Sequence, residues 1–298
     1  MVHFVGAGSG AADLITLRGK KRLEEADIVV YAGSLVNTEL LLYTREDCQV
    51  YDSAHMTLPQ VIEVMVTGSR SGKKVVRLHT GDPSIYGAIR EQMDLLKEAG
   101  IEFDICPGVS SLFGAAAALK AEYTLPGISQ TVIITRMAGR TPVPPKEQIA
   151  LLAAHEATMV IFLSTGHLEE LKKELLTGGY KPTTPCAIVY KATWADEQVI
   201  RGVVEELPEM ARRYGITKTA LIAVGRFLGE DYELSKLYDP SFTTGYREAS
   251  QGGESPVGES PVGESPVEES LTEHSPHGEV IAPDEMKNRG AKEVQKHI

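Results

Sequence analysis

Four short stretches of this chain combine residue types and spacings that could do chemistry. Gly6-Ala7-Gly8-Ser9-Gly10-Ala11 follows an apolar run and precedes a helical pattern. Glycine there lets the backbone turn sharply and a ligand come close, and a helix start offers unpaired N–H groups to an anion. The spacing fits the dinucleotide fingerprint G-x-G-x-x-G/A, which also needs an acidic residue about 20 positions on, after the second strand. That strand instead ends Tyr31-Ala32-Gly33-Ser34, and Asp27 lies before it. An NAD-dependent oxidoreductase is therefore a remote reading. Gly68-Ser69-Arg70-Ser71-Gly72-Lys73-Lys74 resembles a nucleotide-triphosphate loop but is one residue short, with no Ser or Thr after the lysine.

The other two stretches carry more. Arg77-Leu78-His79-Thr80-Gly81-Asp82-Pro83-Ser84-Ile85-Tyr86-Gly87 reads as a strand, a turn and the start of a helix. Asp82 as a cap and Pro83 in the first turn would satisfy a plain helix start. That account leaves Thr80, Gly81 and Tyr86 unexplained at the sheet edge where open α/β folds bind ligands. Pro107-Gly108-Val109-Ser110-Ser111 makes a second such turn before an alanine-rich helix. Small residues at both turns leave room for a molecule lying across the strand ends. His55 and His79 are candidates taken singly, but none of the histidines has metal-ligand spacing, so no metal is expected.

The elements that must position these turns alternate. His3–Val5, Ile28–Tyr31, Lys74–His79 and Glu102–Cys106 read as short buried strands. Leu17–Ala26, Pro59–Ser69 and Ile85–Ala99 have helical spacing between them. β-α-β-α order predicts a parallel sheet covered by helices. After a small-residue helix near Ser111–Ala121, strands are expected at Thr131–Thr135, Thr158–Leu163, Ala187–Tyr190, Val199–Val203 and Ala220–Val224. The short polar link between the 187 and 199 strands predicts a mixed second sheet. The expected fold class is α/β, two α/β domains (1–115 and 116–240) facing a central cleft, a common place for small-molecule sites. Residues 241–298 form a low-complexity tail in which Gly-Glu-Ser-Pro-Val occurs three times over 253–267. Proline every fifth residue and one valine per repeat predict disorder there.

Composition narrows the class. The 298 residues carry a net charge of −11, and from Tyr246 onward 11 acidic residues face 5 basic ones. A mildly acidic folded part argues against nucleic acid as a partner. No apolar run approaches the roughly 18 residues of a membrane span. The N-terminus lacks the pattern of a secretory signal. Cys48, Cys106 and Cys186 are scattered, as expected for reduced thiols in a cytoplasmic protein.

In order along residues 2–228, GAGSG…DLITLRG, ADIVVYAGSLV, HTGDPSIYGAI, PGVSS, SQTVIITRMAGRTPVP and VYKATWADEQVIRG resemble the tetrapyrrole (corrin/porphyrin) methylases. The family's loop usually continues Pro-Gly-Asp-Pro where this chain has Ser9-Gly10-Ala11-Ala12. The resemblance implies a homodimer with S-adenosylmethionine folded into the cleft. It places the cofactor against Thr80, Gly81, Asp82, Ile85 and Tyr86, then Ser110 and Ser111. From the second half it adds Phe162, Leu163, Tyr190, Ala192, Ala220 and Leu221. Gly8, Ser9 and Gly10 would face the tetrapyrrole or flank the cofactor; Arg136 and Arg140 would bind the carboxylate arms, and His55 and Tyr123 would line the trough. The activity implied is C-methylation at carbon 11 of precorrin-4 or its cobalt form, a small-molecule substrate of cobalamin synthesis. Alternatives are another carbon of a precorrin or uroporphyrinogen and, more remotely, a non-catalytic tetrapyrrole carrier. No catalytic side chain is assigned, because a neutral thioether leaves without needing a proton.

Overall fold

The computed structural model describes residues 1–250, so the pentapeptide repeats at 253–267 and the rest of the tail from 251 lie outside the described residues. Among the described residues there are two five-stranded sheets. The first is built from β1 (Val2–Gly6), β2 (Ile28–Tyr31), β3 (Gln49–Asp52), β4 (Val75–His79) and β5 (Phe103–Cys106), in the order β3-β2-β4-β1-β5. Every pairing in it is parallel. β1 and β4 are buried along their whole length, because helices cover both faces of the sheet. Helix α1 (Leu17–Glu24), capped by Thr16, packs Leu23 against Val5, Ala7 and Cys106. On the other face α2 (Leu58–Arg70) and α3 (Arg90–Glu98) bury Met65 and Leu96 against Val2, Phe4 and Val30.

This wiring fixes where a ligand can sit. The chain leaves β1 for one face of the sheet and leaves its neighbour β4 for the other, so the connections diverge between those two strands. A parting of this kind opens a crevice beyond the strand ends. The glycine loop and the Thr80–Asp82 turn flank it.

The second sheet contains β6 (Val132–Arg136), β7 (Thr158–Phe162), β8 (Pro185–Tyr190), β9 (Gln198–Val203) and β10 (Ala220–Val224), in the order β6-β7-β10-β8-β9. β6 and β7 run parallel and the remaining pairs antiparallel, the mixed sheet expected. Helices α5 (Ile149–Ala153), α6 (Leu168–Thr177) and α7 (Leu207–Arg213) pack on one face. The other face receives α4 (Ser111–Leu119), which starts at the Pro107–Ser111 turn and buries Leu112, Ala115 and Leu119 against Val160, Val189 and Leu221. One short helix of small residues thus joins the edge of the first sheet to the core of the second.

Two expectations fail. The helix expected from Ile85 begins only at Arg90, because Tyr86 and Ala88 take left-handed backbone at φ 55° and 49°. β3 was not anticipated: it is a half-exposed edge strand without apolar alternation.

Candidate active site

At the edge of the first sheet three turns meet through glycine. A Cβ on Gly6 would lie 2.6 Å from both the Gly108 Cα and the Gly81 carbonyl oxygen, closer than real side chains come. Gly8 (φ 86°) and Gly81 (φ 59°) form a small antiparallel bridge. In it the Gly81 N–H donates to the Gly8 carbonyl at 2.9 Å and the Gly8 N–H to the Gly81 carbonyl at 3.3 Å. Asp82 does not cap a helix, so the plain helix-start account of this turn fails. Its Oδ1 accepts from the Ser84 N–H at 2.9 Å and its Oδ2 from the Gly108 N–H at 2.9 Å, tying the β4 turn to the β5 turn. Burial resists ionisation of Asp82, but the hydrogen bonds from Ser84 and Gly108 outweigh it and hold the carboxyl below its usual range. Ser110 is buried and caps α4 through the Leu112 N–H at 3.3 Å.

Two buried polar atoms in this edge lack a partner among the described residues: Thr80 Oγ1 and His79 Nε2. Leaving such an atom unpaired costs about 1–3 kcal/mol, so each points to a group that completes it. His79 lies over Phe4, and burial, with Arg77 adding a like charge, drives its pKa down to about 3, so it is a neutral imidazole. Arg77 itself is buried, donates to Gln92 Oε1 and the Val30 carbonyl, and is pushed down to about 10 by desolvation.

The second sheet faces this edge with strained residues in place of glycines. Leu163, Lys191, Thr193 and Thr219 have φ of 53°, 46°, 69° and 58°. Leu163, just past β7, is 66% exposed despite its side chain. Side chains with Cβ avoid this region, and such outliers gather where function over-determines the backbone. Tyr86 and Phe162 meet across the cleft with ring centroids 5.4 Å apart. Burial raises the Tyr86 phenol above its ordinary pKa, Glu147 adding to the effect and Arg136 opposing it.

Of the residues named from the sequence, Thr80, Gly81, Asp82, Ile85, Tyr86, Ser110 and Ser111 lie on or beside the β4 and β5 turns. Phe162, Leu163, Tyr190, Ala192, Ala220 and Leu221 lie at the facing ends of β7, β8 and β10. Gly8, Ser9 and Gly10 need correction: all three are buried, so they form a seam between the halves and not an open substrate face. The Ser9 and Thr193 hydroxyls are 3.0 Å apart, the Gly10 carbonyl accepts from Asn37 Nδ2 at 3.0 Å, and Trp194 covers the space a Gly10 Cβ would need. The Ala7, Gly8 and Ala11 N–H groups go to the His79 carbonyl, the Gly81 carbonyl and Thr193 Oγ1, so these three donors of the loop are engaged within the protein.

Tyr123 is also corrected. It is buried against Phe227, and its hydroxyl donates to the Leu112 carbonyl at 2.8 Å, so it packs the core and does not line the trough. Arg136 donates to the carbonyls of Met137, Thr141 and Pro142, which engages its guanidinium in shaping its own loop and not in gripping a carboxylate. Arg140 and His55 are exposed. Thr193, Trp194 and Asn37 escaped the sequence reading. The only signal was that Thr193 and Trp194 stand in the VYKATWADEQ stretch. No group of three or more His, Cys, Asp or Glu among the described residues could hold a metal ion.

A cleft between two α/β layers, with glycine turns on one side, Tyr86 and Phe162 in contact across it and an unpaired threonine hydroxyl at its edge, is the architecture of an enzyme that aligns a bound small molecule. The profile of the tetrapyrrole (corrin/porphyrin) methylases matches residues 1–208. A cobalt-precorrin-4 C(11)-methyltransferase of Methanocaldococcus jannaschii is 54% identical over 249 residues, 83% of this chain and 96% of that protein. An X-ray structure of a cobalt-precorrin-4 methyltransferase of cobalamin biosynthesis superposes with a TM-score of 0.75 at 46% identity, covering 77% of this chain and 96% of that one. A uroporphyrin-III C-methyltransferase of Thermus thermophilus, complexed with S-adenosylhomocysteine, gives a TM-score of 0.63 at 26% identity, covering 76% of this chain and 92% of that one. The chain belongs to the tetrapyrrole methylase family and is a methyltransferase.

Proposed function

We propose that the protein transfers a methyl group from S-adenosylmethionine to carbon 11 of the precorrin-4 ring, in the cobalt-bearing form named for the relatives at 54% and 46% identity, those at 38–42% being named for precorrin-4 itself. The observation that carries this reading is the 54% identity to a C(11)-methyltransferase spanned over 96% of its length. The residues present fit the cofactor: the unpaired Thr80 hydroxyl offers a buried partner, and the glycine-built edge leaves backbone open to close approach. Thr80, Gly81, Asp82, Ile85, Tyr86, Ser110 and Ser111 would hold it from one side. Phe162, Leu163, Tyr190, Ala192, Ala220 and Leu221 would hold it from the other.

Bound S-adenosylmethionine supplies an electrophilic methyl on a sulfonium, and its thioether leaves without a proton. The chain has to align a ring carbon with that methyl and keep water out, which can contribute about 7–11 kcal/mol of the barrier through orientation alone. Tyr86 and Phe162 form an aromatic wall that excludes water at the mouth. Arg140 and His55, both exposed, would meet the carboxylate arms in this reading. Asp82 contributes indirectly, by fixing the Thr80–Gly81 backbone through Ser84 and Gly108. No helix among the described residues is long and apolar enough to cross a membrane. A cytoplasmic homodimer belongs to the same reading, and analytical ultracentrifugation tests the dimer.

The test is incubation with cobalt-precorrin-4 and S-adenosylmethionine labelled with 13C in the methyl group. One added methyl, located at carbon 11 by NMR, is expected. Label at another ring carbon would reassign the position, and bound tetrapyrrole that never gains a methyl would identify a carrier.

A further inference from the structure

We infer that Thr193 is a positioning residue for the cofactor turn, acting through a hydrogen-bonded relay that runs from the second sheet into the first. The inference rests on the S-adenosylmethionine site proposed above. Thr193 lies in the β8–β9 connection with φ 69°, a conformation that a β-branched side chain adopts at a cost. A connecting loop alone gives no reason for that strain, since a glycine would relieve it. The strain is held from behind: Glu197 Oε2 accepts the Thr193 N–H at 2.6 Å, and the Trp194 N–H donates to the Lys191 carbonyl at 3.0 Å.

What the strained backbone achieves is the aim of one hydroxyl. Thr193 Oγ1 accepts the Ala11 N–H at 3.0 Å and lies 3.0 Å from Ser9 Oγ. It therefore grips the glycine loop on both sides of Gly10, across more than 180 residues of sequence. Gly114 lets α4 approach this loop closely, since a Cβ on it would lie 2.8 Å from the Ser9 Cβ. The residue before Ser9 is Gly8, which exchanges two hydrogen bonds with Gly81. Gly81 adjoins Thr80, whose hydroxyl is the unpaired atom of the site. The path Glu197–Thr193–Ser9–Gly8–Gly81–Thr80 is continuous and contains no exposed flexible side chain between Thr193 and Thr80. Thr193 is not among the residues proposed to hold the cofactor; it sets the height and angle of the turn that does.

The simpler account is that Thr193 only staples the two halves together. The full chain and its Thr193→Val, Thr193→Ser, Glu197→Gln and Ser9→Ala variants separate the two. Two quantities are read: calorimetric affinity for S-adenosylhomocysteine, and amide hydrogen exchange at Gly81 against Val5 and Leu78 in β1 and β4. Loss of one buried hydrogen bond should make Thr193→Val bind about tenfold more weakly. Exchange at Gly81 should rise while Val5 and Leu78 stay protected. Thr193→Ser should restore both, and Ser9→Ala, which cuts the relay from the other side without touching the strained loop, should repeat the loss if Thr193→Val folds poorly. Wild-type affinity in both Thr193→Val and Ser9→Ala, or weakened binding with exchange rising uniformly through both sheets, would overturn the inference. A wild-type chain that does not bind S-adenosylhomocysteine would instead overturn the site itself, and is seen before any variant is made.

Discussion

The two sheet edges that face each other reach close approach by opposite means. In the first, Gly6 and Gly108 let backbones touch where no Cβ fits, and Gly81 turns between them at φ 59°. In the second, Leu163, Lys191, Thr193 and Thr219 hold left-handed backbone while keeping their side chains. Glycine gives close contact at the cost of chain entropy in the unfolded state. The strained residues keep a functional group or an apolar surface at the same kind of bend, and the neighbouring packing holds them there. The first edge is therefore a packed, intolerant platform that still sends Tyr86 across to Phe162, and the second keeps a side chain at each of its four bends.

The sharpest way to break this contrast is Gly6→Ala. Its Cβ would meet backbone on two sides, which cannot yield as a side-chain tip can, so a loss of about 3 kcal/mol or more in urea unfolding is expected. A loss below about 1 kcal/mol would mean that the three turns are not locked.

A second effect concerns acid. His79 has a folded pKa of about 3 against roughly 6.5 unfolded, so the unfolded chain binds the extra proton between those values. Its contribution is fully present above about pH 6.5 and falls by about 1.4 kcal/mol per pH unit toward pH 3. The buried polar residues of the second half, Thr135, Thr158, Ser164, Thr165 and Thr184, carry no charge to titrate. Acid should therefore loosen the first sheet before the second, as read by amide exchange from pH 7 to 4, and His79→Phe should flatten the slope. Equal loosening of both sheets would contradict the assignment.

The smallest expected effect comes from the second edge. Leu163→Gly relieves left-handed strain at an exposed position, so stability should change by no more than about 1 kcal/mol, in the favourable direction. Methyl transfer should nonetheless fall, because the apolar surface facing the cleft is gone. A faster enzyme would show that the strain serves no alignment.

Much of the fold was legible because the central strands are buried on both faces and read as continuous apolar runs. The glycine turns were legible for the same local reason, since few other residues make them. β3 was not, because an exposed edge strand needs no apolar alternation. The strained residues were invisible: leucine and threonine avoid left-handed backbone, so nothing in their type marks Leu163 or Thr193. Asp82 misled in a similar way. A carboxylate before proline reads as a cap, and only the neighbouring turn shows that its partner is Gly108. The resemblance located the glycine loop at the cleft but not its orientation. Whether Ser9 faces a ligand or a partner hydroxyl depends on Thr193, far away in the chain.

The central claim is that the cofactor completes the edge of the first sheet at Thr80. Calorimetric titration of S-adenosylhomocysteine into the wild type and Thr80→Val, beside urea unfolding of both, tests it most directly. Removing an unpaired buried hydroxyl should leave the ligand-free variant as stable as the wild type or slightly more so. Its affinity should fall by about tenfold, the worth of one buried hydrogen bond. Equal affinity in the two proteins would contradict the placement of the site.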